Sequence, residues 1–235
     1  DSGLAYYYRA MFFFLPWLGG FGGTLENTAT NMPQMNTVPM IQALNFIHDL
    51  TYTQKVMPTD SEYGNLDADF ADGRTGMFIT GTWSYGTFHE ALGENLGVSS
   101  LPVVSSTGEK PGPFNFGLLF FVTNNSLDEN KQEAIISFIE YATNQENQLE
   151  MAQQLLYLPA LKTTYSDPCI LNDPVLATML KQLANGIPER INTNLGCILG
   201  ISDPIYNSFL DNSITAEQAA EQMQQEVESC IQQSQ

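Results

Sequence analysis

"FADGRTGMFITGTW", residues 70–83, decides how this chain folds. The polar run "NLDADFADG" that leads into it reads as a short helix over residues 65–73, closed at Gly73 by the residue that most easily adopts a left-handed cap. The run "GMFITG" that follows, residues 76–81, is apolar, of strand length and bracketed by glycines, so it reads as a buried strand. The chain then turns, presents Trp83, and enters an irregular helix from about Ser84 to Ala91. Helix, strand and helix in this order predict an α/β architecture.

Working upstream, Asn36 or Thr37 caps a helix running to about Thr53, with Pro39 tolerated in its first turn and Ile41, Leu44, Ile47 and Leu50 on one apolar face. Downstream, "LGVSSLPVV" at 96–104 reads as a second strand and "SSTGEKPGP" at 105–113 as a loop. "FNFGLLFFVT" at 114–123 reads as a third strand, apolar on both faces. Ser126 and Glu129 have capping-box spacing ahead of a helix whose stripe is Ile135, Phe138, Ile139 and Ala142. Thr143 and Glu146 repeat the box for a helix to about Leu155, and "LPALK" at 158–162 leaves it extended. Asp173 caps a further helix with Pro174 at its first position and Gly186 beyond its end. Thr215 and Gln218 box the last helix, with Ala219, Met223, Val227 and Ile231 as its buried stripe. No internal repeat is found at any period.

Composition narrows the function. Of 235 residues, 26 are acidic and 8 basic, a net charge of −18, which repels phosphate backbones and anionic membranes and excludes nucleic acid as a partner. Uncharged or cationic ligands suit such a surface better than anions. No apolar run reaches the ~20 residues of a membrane span; the richest, "AMFFFLPWLGGFGG", is interrupted by Pro16 and several glycines. The chain opens on no basic-then-apolar leader and reads as a mature or truncated product. Cys169, Cys197 and Cys230 form no CxxC pair and lie near no histidine, which argues against zinc. Three buried thiols are expected ahead of one disulfide with a spare thiol. His48 and His89 stand apart in ordinary amphipathic settings. Asp67, Asp69, Glu90 and Glu94 fall on expected solvated faces with no spacing that singles out a catalytic pair. There is no GxSxG elbow, phosphate loop or HExxH. A binding protein, not an enzyme, is expected, with no metal and no cofactor.

Four blocks then resemble one family in its own order. They are the aromatic run "FFFLPWLGGFGG"; the pattern F-x-x-G-x-x-x-M-x-x-x-G-x-W, here Phe70, Gly73, Met77, Gly81 and Trp83; "GVSSLPVV" with its loop and "FGLLFFVTNNS"; and "AIISFIEYATNQENQ" running on to "YLPALK". Across most of residues 12–230 the chain is similar to extracellular solute-binding proteins of the maltose-binding type, the receptors of bacterial ABC sugar importers. The resemblance implies a type II periplasmic-binding-protein-like α/β fold of two lobes. Residues 1–118 would be the first part of the C-terminal lobe, 119–165 the helices returning to the N-terminal lobe, and 166–235 the last part of the C-terminal lobe with the final helices. The hinge crossing would lie near Phe116–Thr123. Trp83 would stack on a sugar ring, with Phe12 and Phe13 as a second platform and Tyr85 and Trp17 beside them. Glu26 and Asn115 are the candidates for polar contact. The physics agrees with the assignment, since a pyranose has an apolar C–H face that an aromatic plate buries without needing charge.

The resemblance also exposes departures. The family's first lobe, which supplies much of its polar sugar contact, has no counterpart here. The helix pair in "SFIEYATNQENQLEMAQQLLYLP", residues 137–159, would then lack the sheet it packs on, leaving large side chains in water at ~1.5–3 kcal/mol of lost burial each. The 235 residues are therefore expected to be part of a larger folding unit, with the N-terminal lobe supplied by the same or another chain. In "NLGCILGISDPIY", Leu199 stands about where the family offers another aromatic, and Tyr206 is displaced. The implied function is an exported receptor, periplasmic or anchored at the cell surface, that delivers a sugar or other small uncharged ligand to ABC permease subunits. A structural or adhesive surface protein on the same scaffold is the alternative.

Overall fold

The computed structural model describes residues 2–27, 29–59, 65–124, 129–188 and 194–234. The chain starts in strand β1 (Ser2–Tyr6), passes through helices α1 (Met11–Gly20), α2 (Val38–His48) and α3 (Asn65–Ala71), and returns in strand β2 (Thr75–Ile79). β1 and β2 pair in parallel, Ser2 opposite Thr75 and Tyr6 opposite Ile79. Parallel pairing requires a crossover, and the helices between the strands provide it. The expected details hold at this end. The Thr37 side chain caps α2 by accepting from the Met40 N–H, a π-helical turn over Asp49–Thr53 carries α2 onward, and Gly73 takes a φ of 73° after α3.

A 3-10 turn over Thr82–Ser84 leads into α4 (Tyr85–Leu92). Strand β3 (Phe114–Asn115), α5 (Glu129–Thr143), α6 (Gln145–Leu155), α7 (Pro168–Leu171), α8 (Pro174–Leu183) and strand β4 (Ile187–Pro188) follow, and α9 (Asn194–Leu210) and α10 (Ala216–Gln233) complete the chain. β3 and β4 form a second two-stranded parallel sheet.

The larger core lies between β1, α1, α2, α9 and α10, with Tyr6, Met11, Phe14, Met40, Leu44, Tyr206 and Met223 fully enclosed. α10 packs along α9. Its Thr215–Gln218 capping box is formed from both sides, and Ala219, Met223, Val227 and Ile231 are buried as the stripe requires. The two helices are also joined covalently by a disulfide between Cys197 and Cys230, so only Cys169 is a free thiol. The expectation of three buried thiols is corrected here: Cys230 falls three residues after Val227 on the buried stripe, which brings its sulfur to α9. α1 is tied to α9 at its N-terminus, where the Met11 N–H donates to Asp203 Oδ1 at 2.6 Å and Arg9 pairs with Asp211 at 2.8 Å.

A second, smaller core unites α6, α7 and α8 through Ala152, Ile170 and Leu176. Hydrogen bonds connect α8 to the loop before β3: the Leu101 N–H donates to Gln182 Oε1, Gln182 Nε2 donates to the Pro111 carbonyl, and Asn115 Nδ2 donates to the Leu183 carbonyl. Asn115, a candidate for sugar contact, thus serves the C-terminal end of α8.

Three expectations change. Residues 96–104 form no strand, and the third strand is limited to Phe114–Asn115. The rest of that run has no strand beside it, and its side chains lie in solvent, Leu118 91% exposed and Phe121 83%. α6 is capped one residue later than expected, by the Asn144 side chain accepting from the Asn147 N–H. The Ser126–Glu129 box lies outside the described residues.

Candidate functional site

The first turn of α1 and the turn after β2 bring three of the expected site residues together. The ring centroids of Phe12 and Phe13 both lie 6.4 Å from that of Trp83 and 5.2 Å from each other. α1 is apolar all round, so its first turn can face the Trp83 turn while the rest of the helix is buried in the core. Trp83 is held by its neighbours in sequence: Ser84 is buried, and its hydroxyl lies 3.0 Å from that of Thr80 at the end of β2. Trp83 remains 39% exposed.

Two residues that were not anticipated complete the group. Phe116 lies 5.9 Å from Phe12 and 6.0 Å from Trp83, and Phe114 lies 6.3 Å from Phe12. The spacing of "FNF" holds a signal for both, because residues two apart on an extended chain share a face. Phe116 is 49% exposed, so the group is closed by α1 on one side and open on another. None of these five side chains carries a charge. Such a patch can bury the carbon face of a neutral ring and offers no charged partner to an anion.

The remaining candidates lie elsewhere. Trp17, expected beside the platform, is 4% exposed and packs against Tyr6 and Phe46 in the larger core, one turn beyond Phe13 on α1. It has no free face to offer a ligand. Tyr85 stacks on His89 at 5.4 Å with the planes 13° apart, and its hydroxyl lies 3.3 Å from His89 Nδ1. Partial burial, with Asp173 and Glu94 adding to it, raises the Tyr85 phenol above its ordinary range. Glu26 accepts from Asn194 Nδ2 at 3.0 Å, at the start of α9. α9 meets Met11 through Asp203 and Glu26 through Asn194, so about 14 Å of helix rise separates Glu26 from the first turn of α1. Tyr206 is fully enclosed in the core, and Leu199 packs against the same core half-buried. Among the described residues no helix is long and apolar enough to cross a membrane.

Known proteins agree with this architecture. A structure of the maltose/maltodextrin-binding domain from Bdellovibrio bacteriovorus bound to maltotriose superimposes with a TM-score of 0.89 at 27% identity, covering 99% of this chain and 60% of that one. The maltose-maltodextrin binding protein of Alicyclobacillus acidocaldarius superimposes with a TM-score of 0.83 at 19% identity, over 96% of this chain and 62% of that one. These neighbours have the type II periplasmic-binding fold, and this chain has the same fold over about 60% of their length. A maltotriose-binding protein of Pyrococcus abyssi is 28% identical over 160 residues, which span 66% of this chain and 34% of that protein. Residues 3–178, three quarters of the chain, match the model of one family, and the chain belongs to it: the bacterial extracellular solute-binding proteins.

Proposed function

We propose that this chain supplies most of one lobe of an ABC-importer receptor that binds a neutral sugar, of the malto-oligosaccharide class, by stacking it on Trp83 with Phe12, Phe13 and Phe116 around it. The observation that carries the reading is the open, uncharged aromatic group centred on Trp83. The maltotriose held by the Bdellovibrio neighbour gives the class of ligand. The second wall of the cleft comes from an N-terminal lobe outside these residues, in the same or another chain. The exposed apolar run from Leu118 to Val122 and the exposed Ile136, Phe138 and Tyr141 of α5 are the surface on which that lobe rests. Residues 1–118 and 166–235 then belong to the C-terminal lobe and 119–165 to the returning helices. A sugar that touches both lobes favours the closed form, and membrane permease subunits take the ligand from it. The receptor works outside the cytoplasm, in keeping with its disulfide, and it performs no chemistry on the sugar.

The test is calorimetric. Maltotriose at a hundredfold excess over its Kd should stabilise the whole protein containing this chain by ~2.7 kcal/mol. Trp83→Ala should weaken binding about tenfold and so cut that gain to about 1.4 kcal/mol at the same maltotriose concentration, measured against the ligand-free melting temperature of the same variant. A series of malto-oligosaccharides that produces no stabilisation would end the reading in favour of a structural or adhesive role.

A further inference from the structure

The position beside the stacking residue has no conformational reason to be glycine. Gly81 has φ −85° and ψ 168°, an extended backbone open to any residue. Gly73, on the same strand's other flank, differs: its φ of 73° disfavours every side chain. What Gly81 provides is space. A β-carbon built on it would lie 1.9 Å from Cζ3, 2.1 Å from Cη2 and 2.2 Å from Cε3 of Trp83. These are three consecutive atoms of the six-membered ring, so the ring occupies the place that a side chain at position 81 would fill. Phe12, Phe13 and Phe116 close on the same indole at ring separations of 6.4, 6.4 and 6.0 Å. The indole is thus folded back over the end of its own strand and confined there.

We propose that Gly81 is a positioning residue of the sugar site: the missing β-carbon lets Trp83 lie back on the strand end, and this sets the indole face on which the ligand stacks. This inference rests on the stacking role given to Trp83 above and names a residue that never touches sugar. Overlaps below 3 Å with a rigid ring cannot be relieved by a small shift, so even alanine forces the indole into another rotamer. Alanine is compatible with the backbone at 81, and the fold has no reason to fail.

The test uses Gly81→Ala in the whole protein containing this chain, read first by the 15N-indole resonance of Trp83, identified by its loss in Trp83→Phe. The resonance should move, and its contacts to Phe12 and Phe116 should disappear, with the buried Trp17 signal unmoved. Maltotriose affinity should fall at least about tenfold. In a Trp83→Ala background the same substitution should change affinity less than about twofold, since the two residues act as a unit. An unmoved Trp83 signal in Gly81→Ala would overturn the proposal, and so would an equal loss of affinity with Trp83 already removed. Failure of the unaltered protein to bind maltotriose would fall on the functional reading; the indole signal, which needs no sugar, still decides the role of Gly81.

Discussion

Two regions of this chain have much the same apolar content and opposite fates. In the body formed by β1, α1, α2, α9 and α10, side chains such as Phe14, Leu44 and Tyr206 are entirely enclosed. Between Phe116 and Val122, and along α5, comparable side chains stand in water. Helix and strand propensity do not explain the contrast, since α5 is a well-formed helix of 15 residues. The first region has neighbours on every side, whereas among the described residues nothing covers the second. Most of the free energy of burial belongs to pairs of surfaces, so an apolar stripe contributes it only once its counterpart arrives.

The strongest way to break the contrast is to loosen the well-packed body. Replacing Cys197 and Cys230 by serine removes a link across 33 residues and should lower stability by about 4 kcal/mol, read by urea denaturation under non-reducing conditions. Leu44→Ala, in the same core, should cost about 3 kcal/mol. The matching change on the open side, Phe121→Ala, should shift stability by less than about 0.5 kcal/mol in this chain alone. With the N-terminal lobe present it should cost several times more, and equal costs in the two settings would refute the proposed seat of that lobe.

The smallest effect concerns a polar atom left unmatched. Asp67 Oδ1 is buried with no hydrogen-bond partner, and desolvation raises the carboxyl above its usual range. A folded pKa above the unfolded one means that the charged form opposes folding at neutral pH. That penalty is relieved as pH falls through the raised pKa and is gone below the unfolded value. Asp67→Asn should therefore stabilise the protein at pH 7 and leave its stability unchanged near pH 3, compared by denaturation at both values.

The sequence makes some of this legible for local reasons. The strand at 75–79, the caps at Thr37 and Asp173 and the box at Thr215 depend on neighbours within a few residues, and they appear where the pattern puts them. Phe12, Phe13 and Trp83 meet as the resemblance implies. Trp17 could not be separated from them by pattern, because α1 is apolar on every side and periodicity gives no direction. Residues 96–104 and 116–123 have the composition of strands, but a strand exists only with a partner to bond. Phe114 and Phe116 were hidden by the same reading, which buried both faces of their run. The disulfide depends on how α9 and α10 cross, a relation that spacing alone leaves open.

The sulfur link joins two helices that are also neighbours in the chain. α9 and α10 are adjacent in the chain and packed on each other, so their hairpin closes a short loop, whereas Ser2 must find Thr75 across 73 residues before β1 and β2 can pair. Local closure is the quicker search. The hairpin is therefore expected to close before β1 and β2 pair, and its oxidation would leave a clamp ready for the opening strand and its helix.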